Sequence, residues 1–415
     1  MPQRSRWGRI HPLALTVAVL LGSACGPPSP NESESEQISG RVEEENPPEG
    51  RLRVGVFNIW ELSEEKIDRV VEQDPQLRAA AEVIQRLRPD VLLLNEIDVV
   101  EGRNLAKEFA QSYLAAAQHV DVQPIAYEHV VYETVNTGIP SGFDLNRDGN
   151  ATGPEDAWGF GRYPGQYGMA VLSRYPVDRN DVRSWRLLPW RSLPGHLMPD
   201  GRDGRPAWYS ADQARALRLS SKSHLDVPVL LPNGRVLHLL ASHPTPPVFD
   251  GDEDRNGRRN YDEIRLWTEI LAPNDDRAAG STWLVDDQGR PGGLASDASF
   301  VIAGDLNADP YADTPYGGPA IAQLLNHPRI RDPRPTGDAE PPGARLSGGE
   351  YPGPPHSRTS AWGRLDYVLP SADLDVLASG VFLPAEGNPL RRLVEGEERA
   401  SDHFAVWVDL VMPSN

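Results

Sequence analysis

Short apolar runs that end in polar residues recur along this chain. They occupy 52–60 (LRVGVFNIW), 90–98, 166–176, 235–242, 299–305, 362–370 and 401–410. Runs of this length, rich in Val, Ile and Leu, suit strands covered on both faces. Between the first two, Leu77, Ala80, Val83, Ile84 and Leu87 share one helical face over 76–88, and Pro89 closes it. A second helix is predicted over about 102–118 and a short one over 317–326. Residues 126–137, 181–188 and Val376 to Leu383 read as further strands, 181–188 as a partner of 166–176. Arg218 to Leu231 and Arg235 to Ser242 flank Pro232-Asn233-Gly234, an Asn-Gly hairpin turn. Residues 333–360, rich in Pro, Gly and charge, read as a long surface loop. Strand, helix, strand order implies α/β layering.

The run at 299–305 continues as Gly304-Asp305-Leu306-Asn307-Ala308-Asp309-Pro310. Gly304 admits a close backbone approach, and Asp305 and Asn307, two apart, face the same way on an extended chain. Such a pair can hold water or a metal-bound phosphate; the same residues also make ordinary turns. Glu96 ends the 90–98 run, where a carboxylate is costly unless paired, hydrated or metal-bound. Asp98 is expected on its face, and two close carboxylates favour a divalent cation. His243, at a strand end before Pro244, is a candidate catalytic acid or ligand.

Composition narrows the field. The 415 residues suffice for one large core or two domains. Asp and Glu number 60 against 41 Lys and Arg, a net charge of −19 that argues against tight nonspecific nucleic-acid binding. At the start, Arg4, Arg6 and Arg9 precede the apolar Leu13 to Leu21 and then Leu21-Gly22-Ser23-Ala24-Cys25. This resembles a lipoprotein-type signal over 1–25 with Cys25 lipidated, although Gly22 stands where a larger apolar residue is usual; ordinary signal cleavage is the alternative. Residues 26–50 form a solvated acidic, Pro-rich tether. The expected location is the cell envelope or the exterior, with the membrane touched through the lipid anchor only and the protein a monomer. Cys25 is the sole cysteine, so no disulfide braces the loops.

Two stretches supply a different brace. Asp144, Asn146, Asp148, Gly149 and Glu155, with Asn150 at the seventh position, fit the calcium-loop pattern D-x-[DN]-x-[DN]-G-x5-E. Asp252, Asp254, Asn256, Gly257 and Glu263 fit it again, with a helix expected over Ile264 to Leu271. Ca²⁺ is therefore expected at one or two EF-hand-like loops inserted in a catalytic domain over 51–412.

The phrases Phe57-Asn58-Ile59, Leu94-Asn95-Glu96, Gly168-Met169-Ala170-Val171-Leu172-Ser173, Gly304-Asp305-Leu306-Asn307, Arg364-Leu365-Asp366-Tyr367 and Ser401-Asp402-His403 stand in one order. In that order they resemble the endonuclease/exonuclease/phosphatase superfamily, the deoxyribonuclease-I-like fold, over about 52–411. The resemblance implies a four-layered α/β/β/α sandwich and metal-dependent phosphoester hydrolysis. It implies that Glu96 binds the catalytic Mg²⁺ or Mn²⁺ with Asn58 and Asp402 near, and that Asp305 and Asn307 position water and a phosphate oxygen. Asp366 would orient His403, His243 would match a second histidine, and Tyr167 a phosphate-contacting tyrosine. Which of Asp305, His403 and His243 acts as base or acid stays open at this level. The acidic surface favours small or lipid-derived phosphoesters. A secreted nuclease is the alternative, and a calcium-stabilised binding module with an inactive site is the reading from another class.

Overall fold

The structure, a computed structural model, describes residues 50–69, 73–272, 283–342 and 351–412. The signal segment, Cys25 and the tether through 49 lie outside the described residues.

Among the described residues, eleven strands form two sheets. The first contains β1 (Arg51–Leu62), β2 (Val91–Ile97), β3 (His129–Tyr132), β4 (Gly168–Ser173), β10 (Val376–Val381) and β11 (Val406–Val411), in the order β10-β11-β1-β2-β4-β3. The second is β5 (Arg183–Ser184), β6 (His224–Leu230), β7 (Val236–Ser242), β8 (Ser299–Asp305) and β9 (Asp366–Pro370), in that order. The strand at 181–188 was expected beside β4. Instead, its two-residue remnant β5 pairs with β6 in the other sheet.

Side chains alternate across each strand, which builds the layers. Val54 and Val56 of β1, Val91 and Leu93 of β2, Leu239 and Ala241 of β7, and Val301 and Ala303 of β8 meet in one core between the sheets. The opposite face of the first sheet, through Leu92 and Leu94, packs on α2 (Pro75–Leu87) and α3 (Leu105–Phe109), which continues as a π-helical turn Ala110–Leu114. The outer face of the second sheet, through Phe300 and Ile302, packs on α5 (Arg255–Leu271) and α6 (Ala322–Leu325). Two lesser helices, α1 (Glu64–Ile67) and α4 (Ala211–Ala216), lie in connections. This is the four-layered α/β/β/α sandwich that the resemblance implies.

Strand direction decides what reaches one rim. β1 and β2 run parallel, as do β7 and β8, while β4, β6, β9 and β11 oppose them. The C-terminal ends of β1, β2, β7 and β8 therefore lie beside the N-terminal ends of β4, β6, β9 and β11. Asn58, Glu96, His243, Asp305, Tyr167, Asp366 and His403 all sit at those ends.

One expectation fails here. The stretch Asp252–Glu263 is not a loop, because α5 begins at Arg255 rather than at Ile264. Glu263 is buried in the helix and accepts from Ser221 N, Ser221 Oγ and Thr245 N at 2.6, 2.9 and 2.7 Å. Asp254 stands just before the helix without a side-chain capping bond and accepts from the Tyr316 hydroxyl instead, and Asn256 donates to Val248 O. Helical backbone aims these oxygens apart, so no calcium loop forms there.

Candidate active site

Asp305 is the hub. It is 2% exposed and ends β8 where Gly304 presses against β7; a Cβ at Gly304 would sit 2.0 Å from Ser242 O. The Asp305 N–H donates to Asn95 Oδ1 at 2.9 Å, tying the second sheet to the first. Asn58 Nδ2 bridges Asp305 Oδ2 and Glu96 Oε1, 3.0 Å from each. Ser401 Oγ in turn donates to Asn58 O at 2.7 Å. Asn307 adopts a positive φ of 50°, and its N–H donates to Asp305 Oδ1 at 3.0 Å. Asp305 and Asn307 thus do not share a strand face but close an Asx turn, as the turn reading has it. Asn307 Nδ2 then donates to Pro244 O at 3.2 Å.

His403 Nδ1 lies 2.8 Å from Asp366 Oδ2, and Thr359 Oγ1 donates to the same oxygen at 2.6 Å. Thr359 Oγ1 also accepts from Leu365 N and Asp366 N, so the carboxylate is held rigidly. This leaves His403 Nε2 3.8 Å from Asp305 Oδ2 and His243 Nε2 3.4 Å from it.

The electrostatics follow from burial and charge. Burial pushes Asp305 up to about 7, with His403 opposing and Asp366 adding to the rise. Glu96 is likewise raised by loss of solvent, opposed by the Asn58 amide and His403. Burial alone would lower His403, but Asp366 and Asp305 outweigh it and hold it well above the usual histidine range. His243 goes the other way, driven well below that range by burial and the charges of Lys222 and His403. One imidazole is thus poised charged and the other neutral.

The donor set fits a divalent cation. Ligand atoms of Glu96, His243 and Asp305 lie within 4.8 Å of one another, as do those of Asp305, Asp366 and His403. A buried carboxylate, Asp305, beside a half-buried one, Glu96, both raised, calls for a cation, and His243 Nδ1 and Asp366 Oδ1 have no hydrogen-bond partner among the described residues. Asn58 presents its amide nitrogen to the carboxylates, so it fixes them. Asp402 acts on the group by charge, raising both Glu96 and His403.

Asp98 departs from expectation. The register shifts between Asn95 and Ile97, and Glu96 has φ 62°, so the alternation breaks and Asp98 turns to the Tyr163 hydroxyl at 2.8 Å. Tyr167, also at positive φ (59°), sits beside Glu61; burial, Glu61 and Glu96 push it up to about 12. With Trp60 and Glu61, five non-glycine residues at this rim (Trp60, Glu61, Glu96, Tyr167 and Asn307) occupy left-handed backbone.

Lys222, Thr359 and Glu61 are the members that sequence reading missed. Lys222 is buried before β6, its Nζ 3.5 Å from Pro244 O, with burial lowering its pKa and Glu263, Glu96 and Asp305 opposing. Its signal was the polar run Ser220-Ser221-Lys222-Ser223-His224 leading into a strand.

The first calcium-loop stretch curls as a loop. Asp144 accepts from Asp148 N and Gly149 N, Asn146 from Asp148 N, and Asp148 from Asn150 N. Closure falls to Asp156, buried, which accepts from Leu145 N and Gly153 N at 2.8 and 2.9 Å. Glu155 lies in a 3₁₀ turn, and the carboxylates of Asp144, Asp148 and Glu155 are not among the converging groups of the described residues.

The profile of the Endonuclease/Exonuclease/phosphatase family matches residues 55–403. Among solved structures, the chain is similar to an endonuclease/exonuclease/phosphatase from Beutenbergia cavernae, 21% identical, covering 87% of this chain and 71% of that one at TM-score 0.45. It is also similar to the human Nocturnin catalytic domain with bound sulfate (15% identity, 87% and 93% covered, TM-score 0.44). A third is a mannosyl-6-phosphatase of Bacteroides thetaiotaomicron (12%, 87% and 99%, TM-score 0.44). No curated protein matches.

Proposed function

This chain belongs to the endonuclease/exonuclease/phosphatase family, whose members are phosphoester hydrolases, and on that premise we propose that it cleaves small or lipid-derived phosphoesters outside the cytoplasm. The observation that carries the reading is the linked set Asn58–Asp305 and His403–Asp366, one pair joining the two sheets and the other orienting an imidazole at the same carboxylate. A site this complete also argues against an inactive binding module.

A divalent ion, Mg²⁺ or Mn²⁺, held at Glu96 and Asp305 with Asp402 beside them, would neutralise the phosphoryl oxygens and lower the barrier to attack. The chain's own groups supply the rest. Asp366 fixes the tautomer and ring plane of His403, so its Nε2–H is presented to a phosphoryl or leaving oxygen, and the raised proton affinity keeps it charged at neutral pH. Asp305 accepts a hydrogen bond from water and orients it, and Asn58 keeps that carboxylate from swinging. Neutral His243 faces the same oxygen of Asp305.

The net charge of −19 supports a small organic phosphate over a polyanion. Export and lipid anchoring rest on the leader ending at Cys25, and calcium on the pattern and curl of 144–155. Among the described residues no helix is long and apolar enough to cross a membrane. A panel of p-nitrophenyl mono- and diesters, DNA, sphingomyelin and inositol phosphates, each with Mg²⁺, Mn²⁺ or Ca²⁺, tests the reading. DNA as the best substrate by kcat/KM overturns the small-substrate preference; no turnover of any ester overturns the whole. Metabolic palmitate labelling of the wild type but not of Cys25→Ala tests the anchor.

A further inference from the structure

A cavity of about 1010 Å³ opens beside the catalytic group, on the β1–β2–β4–β3 side of the rim. Its walls are the residues that follow β1, β2 and β3 and those that precede β4. Within the wall Gln166 Nε2 donates to Glu61 Oε1 at 2.9 Å; the wall adjoins the site through Asp98, two residues after Glu96, and through Tyr167, next after Gln166, which feels both Glu61 and Glu96.

The walls are acidic even after internal pairing. Arg103 is taken up by Glu64, Asp68 and Glu108, and Glu65 pairs with Arg69. That leaves Glu61, Asp98, Glu101 and Glu133, with Arg162 in the wall, Lys66 acting on Glu61 and Asp98 from beside it and Arg179 acting on Glu133, so the carboxylates still outnumber the cations. Asp98 is 3% exposed, and its Oδ1 has no hydrogen-bond partner among the described residues. Besides Tyr163 the chain offers this carboxylate the Glu64 N–H, and a buried carboxylate short of donors is costly. Tyr163 spends its hydroxyl on Asp98 Oδ2, and Tyr132 spends its own on Asp98 O. What these two offer a ligand is therefore ring rather than hydroxyl.

We propose that this cavity receives the organic group esterified to the phosphate, and that it selects a compact cation of the alkylammonium kind. The inference rests on the phosphoesterase reading for its position and on the cavity's own walls for its chemistry. Carboxylates around an aromatic-lined pocket hold a quaternary or primary ammonium by charge and by attraction to the ring faces. The same walls repel the neighbouring phosphates of a nucleic acid strand laid across the rim.

The test uses the full chain and two matched pairs. In the first, choline and its uncharged isostere 3,3-dimethylbutan-1-ol are titrated by calorimetry. In the second, kcat/KM is measured for phosphocholine and 3,3-dimethylbutyl phosphate. The charged partner should win by about tenfold in each pair, the gap one desolvated cation–π contact supports. The Glu101→Gln/Glu133→Gln double variant, altered at two exposed positions outside the catalytic group, should shrink that preference while turnover of p-nitrophenyl phosphate stays unchanged. Equal binding of the isosteres, or a preference that survives the double variant, overturns the proposal. Choline binding without turnover of any ester keeps the cavity and overturns the phosphoesterase reading; turnover without charge preference does the reverse.

Discussion

His403 and Asp366 are joined through Nδ1 and Oδ2 at 2.8 Å, and the same carboxylate oxygen is locked by Thr359. The bond sets which ring nitrogen faces the site. Asp366→Asn leaves the volume unchanged but removes the charge that keeps His403 protonated. It should lower kcat by roughly 10²–10⁴-fold with KM little changed, and His403→Ala should do at least as much. Steady-state kinetics on p-nitrophenyl phosphate check both, with circular dichroism to show that the fold is intact. Wild-type kcat in either variant would remove the dyad from the mechanism.

Glu96 and Asp305 carry raised proton affinities because they are stripped of water and set near other carboxylates, Asp402 for Glu96 and Asp366 and Glu96 for Asp305. Protons and cation therefore compete for the same oxygens, so metal should bind more weakly as pH falls below about 7, the value to which Asp305 is pushed. Chelation should abolish turnover and added Mg²⁺ or Mn²⁺ should restore it. Glu96→Gln should raise the metal concentration needed for half-maximal activity by about tenfold or more. A half-maximal metal concentration that does not change between pH 6 and pH 8 would count against this assignment.

His224 is buried, with Ser220 Oγ at 2.6 Å from Nδ1 and Glu263 O at 2.8 Å from Nε2. Burial lowers its proton affinity, so the folded chain keeps it neutral while the unfolded chain protonates it near about pH 6.5. Below that pH the unfolded state binds the extra proton and stability drains away; above it the group contributes no slope. The stability difference between wild type and His224→Gln should be constant above about pH 6.5 and should narrow as pH falls. Urea titrations at several pH values measure it, and a gap that widens on acidification would mean that the folded state holds the proton.

The 144–155 loop separates two roles. Asp156→Ala removes a buried acceptor of two backbone donors and should cost about 2 kcal/mol with or without calcium. Asp148→Ala should cost less than about 0.5 kcal/mol without calcium but should erase any calcium-dependent rise in Tm. Calorimetry with and without Ca²⁺ reads both, and a Tm indifferent to calcium in the wild type would end the calcium reading.

Gly304→Ala places a methyl 2.0 Å from Ser242 O, against backbone that has nowhere to move. It should destabilise by roughly 3 kcal/mol and displace Asp305, the next residue, so activity should fall even well below the new Tm. Chemical denaturation and kcat at low temperature test the two halves separately.

The strand-end polar residues were legible because each terminates a run too apolar to be anything but buried. A carboxylate such as Glu96 or Asp305 in that setting declares itself. The layering was legible for the same reason, since alternate positions of β1, β2, β7 and β8 had two apolar faces to cover. Asp98 was misread because counting by twos assumes an unbroken pleat, and the bulge at Glu96 breaks it. The second calcium pattern was misread because it counts oxygens without asking whether helical backbone can bring them together; Glu263 is spoken for by Ser221 and Thr245. Lys222 and Thr359 stayed hidden because neither ends an apolar run. Lys222 answers to Glu96 and Asp305, far away along the chain. Thr359 reaches Asp366 across a loop.

Asn58 and Glu96 come from one sheet, Asp305 and Asp366 from the other, and the bonds from Asn58 and Asn95 to Asp305 are stitches between them. The reactive group therefore belongs to neither half of the sandwich but to their seam. An intermediate with both sheets formed yet imperfectly docked would have native-like far-ultraviolet dichroism and no turnover. Catalytic activity thus doubles as a gauge of sheet docking, the first property to vanish when the halves begin to part and the last to return when the chain refolds.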